Sequence, residues 1–209
     1  MQTACSNGSL PILIQPTSGR KEARIVCVDS GYLASEQPEN GIELKTNIAQ
    51  LEDGSFDCIF MMDVLEHVAD DKAFFKAVLS KLKKGGTLII TVPAFQSLFS
   101  SHDVFVKHFR RYDTSMLAKV LAGEDVSLLR MHYFYFCLFF ARLAQKKLGL
   151  TSLENEKETG VNGWHFGEKH FATKLIRSVL NADFALLGFL AKLKLRLPGL
   201  SLLAVVQKG

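Results

Sequence analysis

The apolar and polar positions divide the chain into two textures. Through residues 1–130, short apolar runs alternate with helical patterns. RIVCV (Arg24–Val28) is rich in β-branched residues and ends at Asp29; IELKT (Ile42–Thr46) alternates weakly. FDCIFMM (Phe56–Met62) is a continuous apolar run entered from Asp53-Gly54-Ser55, and TLIITV (Thr87–Val92) follows Gly85-Gly86 and stops at Pro93. Apolar runs without clean alternation predict strands of a buried parallel sheet. Between the last two, Phe74, Phe75, Val78, Leu79 and Leu82 recur at helical spacing within Asp70–Lys84. Acids open that segment, lysines close it and Gly85 follows, a charge order that complements a helix dipole and a residue that ends a helix. The predicted unit is a right-handed strand–helix–strand crossover. Ser9–Gln15 predicts a further helix, with Pro11 tolerated in its first turn.

After Pro93 the texture changes. SSHDVFVKHFRRYDTS (Ser100–Ser115) is polar, aromatic and rich in His and Arg. Helices are predicted over Thr114–Ala122, Leu138–Leu148, Phe171–Leu180 and Phe184–Leu197, and strands over Val126–His132 and Leu202–Gln207, with Thr151–Gly167 a long loop. The organisation that follows is an α/β core over 1–135, a helical appendage over 136–200 and a closing strand over 201–209 that rejoins the core.

Composition narrows the picture. A chain of 209 residues, 48% of them hydrophobic, has enough apolar surface for a sizeable core. The net charge of +4 comes without a dense Lys/Arg block, so no nucleic-acid footprint is expected. Cys5, Cys27, Cys58 and Cys137 are widely spaced and form no CxxC pair, so neither a zinc site nor any other metal is expected, and free thiols in a reducing, cytoplasmic setting are. No signal peptide is evident at the start. The longest apolar run, Tyr133–Ala141, falls well short of the roughly 20 residues that span a bilayer.

In an open parallel sheet, ligands bind beyond the carboxyl ends of the strands. The residues after each predicted strand are Ala4-Cys5-Ser6-Asn7-Gly8, Asp29, Asn47-Ile48, Asp63-Val64-Leu65-Glu66-His67, and the His/Arg-rich segment. The stretch FDCIFMMDVLEHVADDKAFFKAVLSKLKKGGTLIITVPA, together with SSHDVFVKHFRRY and the closing LPGLSLLAVVQKG, resembles the small bacterial class I S-adenosylmethionine-dependent methyltransferases. The resemblance is strong over residues 23–135 and weak over 136–200, and Lys84 stands where that family usually has Pro. It implies a three-layer Rossmann-like sheet, mostly parallel with an antiparallel last strand. It also implies S-adenosylmethionine as cofactor. ACSNG lies 25 positions before Asp29, in register with the family's glycine loop. Cys5 and Gly8 match that loop, while Ala4 and Ser6 replace glycines. Only Met1-Gln2-Thr3 precede it, so the first strand is expected to be truncated.

The resemblance also implies roles. Ala4, Cys5, Ser6 and Gly8 would hold the cofactor. Asp29 would accept from the ribose hydroxyls, or cap the next helix. Asn47, beside Ile48, would accept from the adenine amino group, or serve a turn. Asp63 and Val64 would line the pocket near the methionine portion, with helix capping by Asp63 as the other reading. Glu66 and His67 would orient substrate or relay a proton, with a structural histidine beside Val68 as the other reading of His67. His102 with Asp103 would be a general base with its orienter. His108, Arg110, Arg111 and Tyr112 would hold the substrate, the arginines through an anionic group; a solvated loop is the plainer reading. Methyl transfer needs chiefly alignment and exclusion of water, so the acceptor stays open. It is expected to be a small molecule or a saccharide- or lipid-linked intermediate, methylated on oxygen or nitrogen. The altered loop keeps a second reading in play, a catalytically impaired binding or partner subunit; a nicotinamide dehydrogenase fits the loop spacing poorly. Last, MHYFYFCLFFARLA and FALLGFLAKLKLRL suggest either peripheral membrane contact or core helices whose lysines extend to solvent. The oligomeric state is left open.

Overall fold

The computed structural model describes residues 12–15 as backbone, and residues 25–29, 42–148, 171–195 and 197–209. It is built around the crossover that the sequence predicts. Strand β4 (Phe56–Met62) leads into helix α1 (Asp71–Lys81) and returns as β5 (Leu82–Pro93), parallel to β4. Asp70 opens α1 by accepting from the Ala73 N–H at 2.9 Å, and Lys81 lies in its last turn. The helix stops a turn before Lys84 because Leu82 is already extended and fully buried, paired with Phe56. A bulge then separates the Phe56–Leu82 pair from the Cys58–Thr87 pair, with Gly85 at a φ of 76°. Such a bulge lets a chain leave a helix and enter a strand without a separate loop.

The earlier strands are β1 (Ile12–Gln15), β2 (Ile25–Val28) and β3 (Ile42–Lys45); the later elements are α2 (Ser101–Phe105), α3 (Thr114–Leu121), β6 (Val126–Phe134), α4 (Phe136–Lys147), α5 (Phe171–Lys192) and β7 (Ser201–Lys208). One seven-stranded sheet runs in the order β3-β2-β1-β4-β5-β7-β6. β2 is parallel to β3 and β4 is parallel to β5. β7 is antiparallel to its neighbours: Leu200 bonds to Tyr135 and Ala94 at one end, while Gly209 bonds to Asp125 and Lys208 Nζ reaches the Leu82 carbonyl at the other. The expected Rossmann-like arrangement, mostly parallel with an antiparallel last strand, is present.

Two departures matter. Ile12–Gln15, expected inside a helix, is a strand, and it runs antiparallel to both β2 and β4. A helix of the seven residues Ser9–Gln15 is too short to hold by itself, and Ile12 and Ile14 favour extended backbone. Between two strands the segment also satisfies backbone groups on both sides. The slot expected for a truncated first strand is thus filled in reverse. In addition, α5 is one continuous helix of 22 residues, where two were expected.

The chain divides into two compact units, one of Met1–Val92, Ser115–Met131 and Leu203–Gly209, the other of Pro93–Thr114 and His132–Leu202. In the first, Val26, Ile59, Met61, Phe75, Val78, Leu88 and Ile90 form the core around the sheet. In the second, Leu98, Tyr112, Phe134 and Leu187 are buried, and Phe95 stacks on Tyr133 with ring centroids 4.7 Å apart.

Candidate functional site

In the first unit, the carboxyl ends of β2, β3 and β4 carry the expected polar residues. Asp29 follows β2 directly and is buried; its N–H donates to the Lys45 carbonyl at 2.9 Å, which ties it to the end of β3. Asn47 follows β3 and opens a short 3-10 turn over Ile48–Gln50. Its Oδ1 accepts from the Ala49 N–H at 2.8 Å, and the Gln50 side chain bonds back to the Asn47 N–H. The turn reading of Asn47 is therefore realised, and one lone pair of its amide oxygen is occupied by its own backbone.

Asp63 follows β4 with a φ of 51°, in the left-handed region. Its N–H reaches Thr91 on β5, with the carbonyl at 2.9 Å and Oγ1 at 3.2 Å. Val64 stands directly before the 3-10 turn Leu65–His67 and gives it no side-chain cap. A non-glycine residue held in this conformation by a neighbouring strand is typical of a site where backbone geometry serves a ligand. Glu66 is fully buried and His67 half-buried on that turn. Thr91, which pins Asp63, was not singled out from sequence; its β-branched polar side chain within an apolar strand is the signal that marks it.

These residues suit a nucleoside ligand bearing two adjacent hydroxyls. A carboxylate at a strand end, as in Asp29, offers lone pairs to both hydroxyls. Ala4, Cys5, Ser6 and Gly8 lie outside the described residues.

In the second unit, Asp103 is the organising group. It is fully buried within α2, and its carboxylate has four bonds. Oδ1 accepts from His108 Nδ1 and Arg111 Nε, both at 2.8 Å; Oδ2 accepts from the Ser100 N–H at 2.9 Å and Ser100 Oγ at 3.2 Å. Arg142 of α4 in turn donates to Ser100 Oγ at 2.7 Å. Burial pushes the Asp103 carboxyl upward, but hydrogen bonds from His108 and Arg111, the Arg111 charge and the Ser100 amide outweigh it and hold the group well below the usual carboxylate range. Ser100 and Asp103 form a capping box, a three-residue spacing legible in the sequence.

This geometry corrects the expected partners. Asp103 orients His108 rather than His102, which is half-buried on α2. Arg111 is buried and its Nε is engaged by Asp103, so its expected grip on a substrate anion gives way to an internal ion pair. Tyr112, expected beside the substrate, is fully buried, and its backbone bonds to Pro93 and Phe95. Arg110 remains half-exposed, its guanidinium 6.0 Å from the Phe109 ring centre.

Residues 3–90 match a family model described as Methyltransferase domain. Among curated proteins, a ubiquinone biosynthesis O-methyltransferase of Xanthomonas campestris pv. campestris is 37% identical over 71 residues, covering 34% of this chain and 28% of the relative. A protein of the same name from Xanthomonas axonopodis pv. citri is 30% identical over 105 residues, covering 44% of this chain and 41% of the relative. The chain thus spans less than half the length of these curated relatives. Among solved structures, a SAM-dependent methyltransferase from Archaeoglobus fulgidus aligns with a TM-score of 0.43 and 16% identity, covering 88% of this chain and 75% of that one. Phosphoethanolamine N-methyltransferase 2 of Haemonchus contortus, in complex with S-adenosyl-L-methionine, aligns with a TM-score of 0.41 and 15% identity, covering 81% and 38%.

Proposed function

We propose that the protein is an S-adenosylmethionine-dependent methyltransferase acting on the oxygen or nitrogen of a small molecule. The observation that carries this reading is Asp29, buried at the carboxyl end of β2 in a 3-2-1-4-5-7-6 sheet, within the residues 3–90 that match a methyltransferase domain. In this reading Asp29 accepts from both ribose hydroxyls, Asn47 and Ile48 border the adenine, and Asp63 and Val64 line the methionine end. The cofactor supplies an already activated methyl group, so these residues bind and orient it and exclude water. The names of the curated relatives favour a hydroxyl acceptor, which must lose a proton. Within the second unit, Asp103 holds the His108 ring through Nδ1, the arrangement of a base with its orienting carboxylate.

One observation favours a second reading, a partner subunit that binds without catalysing: β1 runs opposite to its neighbours in the slot where the family's first strand is expected. Isothermal titration with S-adenosylmethionine and S-adenosylhomocysteine tests both. Heat with each, abolished by Asp29→Ala, supports cofactor binding; no heat at high micromolar ligand overturns it. Binding without methyl transfer to any hydroxylated or amino acceptor selects the second reading.

A further inference from the structure

Helix α5 has three faces. Asp183 and Leu187 are buried, with Leu180 and Leu190 half-buried beside them, and this face lies inward. Phe171, Leu175, Val179, Leu186 and Phe189, followed by Leu193, are 45–76% exposed. At 100° per residue they fall in one arc of about 80°, roughly 100° around the helix from the inward face. Lys174, Arg177, Asn181 and Lys192 occupy the remaining face and are exposed. Ile176 and Phe184, 43% and 42% exposed, lie outside that arc, so the stripe is the densest part of the helix's exposed apolar surface rather than all of it. The core-helix expectation for FALLGFLAKLKLRL does not hold at Leu186, Phe189, Leu193 and Leu195, all more than half exposed.

Charge identifies what covers the stripe. From Phe171 to the last residue the sequence has one acid, Asp183, against Lys174, Arg177, Lys192, Lys194, Arg196 and Lys208. That acid is turned inward, accepting from the Phe136 and Cys137 N–H groups at the start of α4. The exposed surface of α5 thus has cations and no anion of its own. A second copy of the helix would set like charges against each other. An anionic lipid surface would match both the apolar stripe and the cations, and Lys192 and Lys194, alternating with exposed Leu193 and Leu195, can bury their stems while their ammonium groups reach phosphate. No helix among the described residues is long and apolar enough to cross a membrane, so the fit is to a surface rather than a span.

We propose that α5 lies in the interface of an anionic membrane, with Phe171, Leu175, Val179, Leu186, Phe189 and Leu193 among the acyl chains and Lys174, Arg177, Lys192 and Lys194 at the headgroups. This does not depend on the methyl-transfer reading.

Co-sedimentation of the full chain with vesicles tests it, comparing phosphatidylcholine alone with an equal mixture of phosphatidylcholine and phosphatidylglycerol. Binding is expected to the mixed vesicles, to weaken as salt rises, and to fall at least about tenfold in Leu186→Glu and in Phe189→Glu. Lys174→Glu and Lys192→Glu should each weaken it about fivefold or more, whereas Lys119→Glu on α3 should leave it unchanged. All sites are exposed, and an unchanged melting temperature shows that each variant folds. No binding to mixed vesicles, binding indifferent to the stripe variants, or an equal loss with Lys119→Glu overturns the proposal. So does a wild-type dimer that Leu186→Glu splits, which assigns the stripe to a second copy. Vesicle binding that appears only when residues 149–170 are deleted overturns it in favour of that segment.

Discussion

Asp103 shows how much one buried carboxylate can organise. Its four bonds hold α2, His108 and Arg111 in one arrangement. Removing it leaves the buried Arg111 charge without its counter-ion, so Asp103→Ala is expected to cost about 3–5 kcal/mol, read by chemical denaturation. The same group sets an acid limit. Its carboxyl holds its proton less tightly in the folded chain than in the unfolded one, so the unfolded state protonates first on acidification. The stabilisation is complete above the ordinary Asp value of 3.8 and is lost as pH falls below it. Calorimetry of wild type and Asp103→Asn from neutral to strongly acid pH should show that part of the acid limb flattened in the variant. Asp63 has the opposite character. Its left-handed backbone is easy for glycine, which also removes the carboxylate, so Asp63→Gly should keep the fold while weakening S-adenosylmethionine binding, as thermal melts and titration would show together. The sequence marks Asp63 and Asp103 as polar residues in telling places. It does not reveal their partners, because His108 and Arg111 lie beyond the helix they stabilise, and proximity to His102 in sequence is a poor guide to which imidazole the carboxylate meets.

At the scale of elements, patterning identified β2 to β5, α1, α3, α4, β6 and β7, since each carries its own apolar periodicity. It misread the elements whose form depends on a neighbour. β1 is too short to declare itself and takes its form from the strands on either side. Asn181-Ala182-Asp183 looks like a helix break, yet Asp183 sits mid-helix because its carboxylate is used elsewhere: Tyr135 begins α4 in the left-handed region without a side-chain cap, and Asp183 meets the exposed Phe136 and Cys137 amides. Asp183→Ala should lower stability by about 1–2 kcal/mol, seen as a lower denaturation midpoint, by stripping α4 of that cap. The approach to β7 offers a sharper contrast. A Cβ at Gly199 would sit 2.2 Å from the Phe134 carbonyl oxygen, whereas at Gly123 nothing lies within 4 Å. Gly199→Ala is expected to cost at least about 4 kcal/mol and Gly123→Ala about 1 kcal/mol, the latter from its positive φ alone; paired melts separate crowding from backbone strain.

For the molecule as a whole, the proposed S-adenosylmethionine site belongs to the folded chain and not to the unfolded one. At a hundredfold excess over Kd, S-adenosylmethionine should add about 2.7 kcal/mol, a rise in Tm of about 5–10 °C for a chain of this size, read by scanning calorimetry. The same rise should vanish in Asp29→Ala. The reversed β1 bears on how such a sheet closes. A parallel strand in that central slot would have to be joined to β2 by a crossover of a dozen residues or more. Running the other way, β1 meets β2 across the short stretch between Gln15 and Ile25, so the pairing is local. Local pairings form early because little loop-closure entropy opposes them. The middle of this sheet becomes a place where a hairpin can start assembly, and amide exchange after brief refolding would find Val26, Cys27 and Val28 protected ahead of β5.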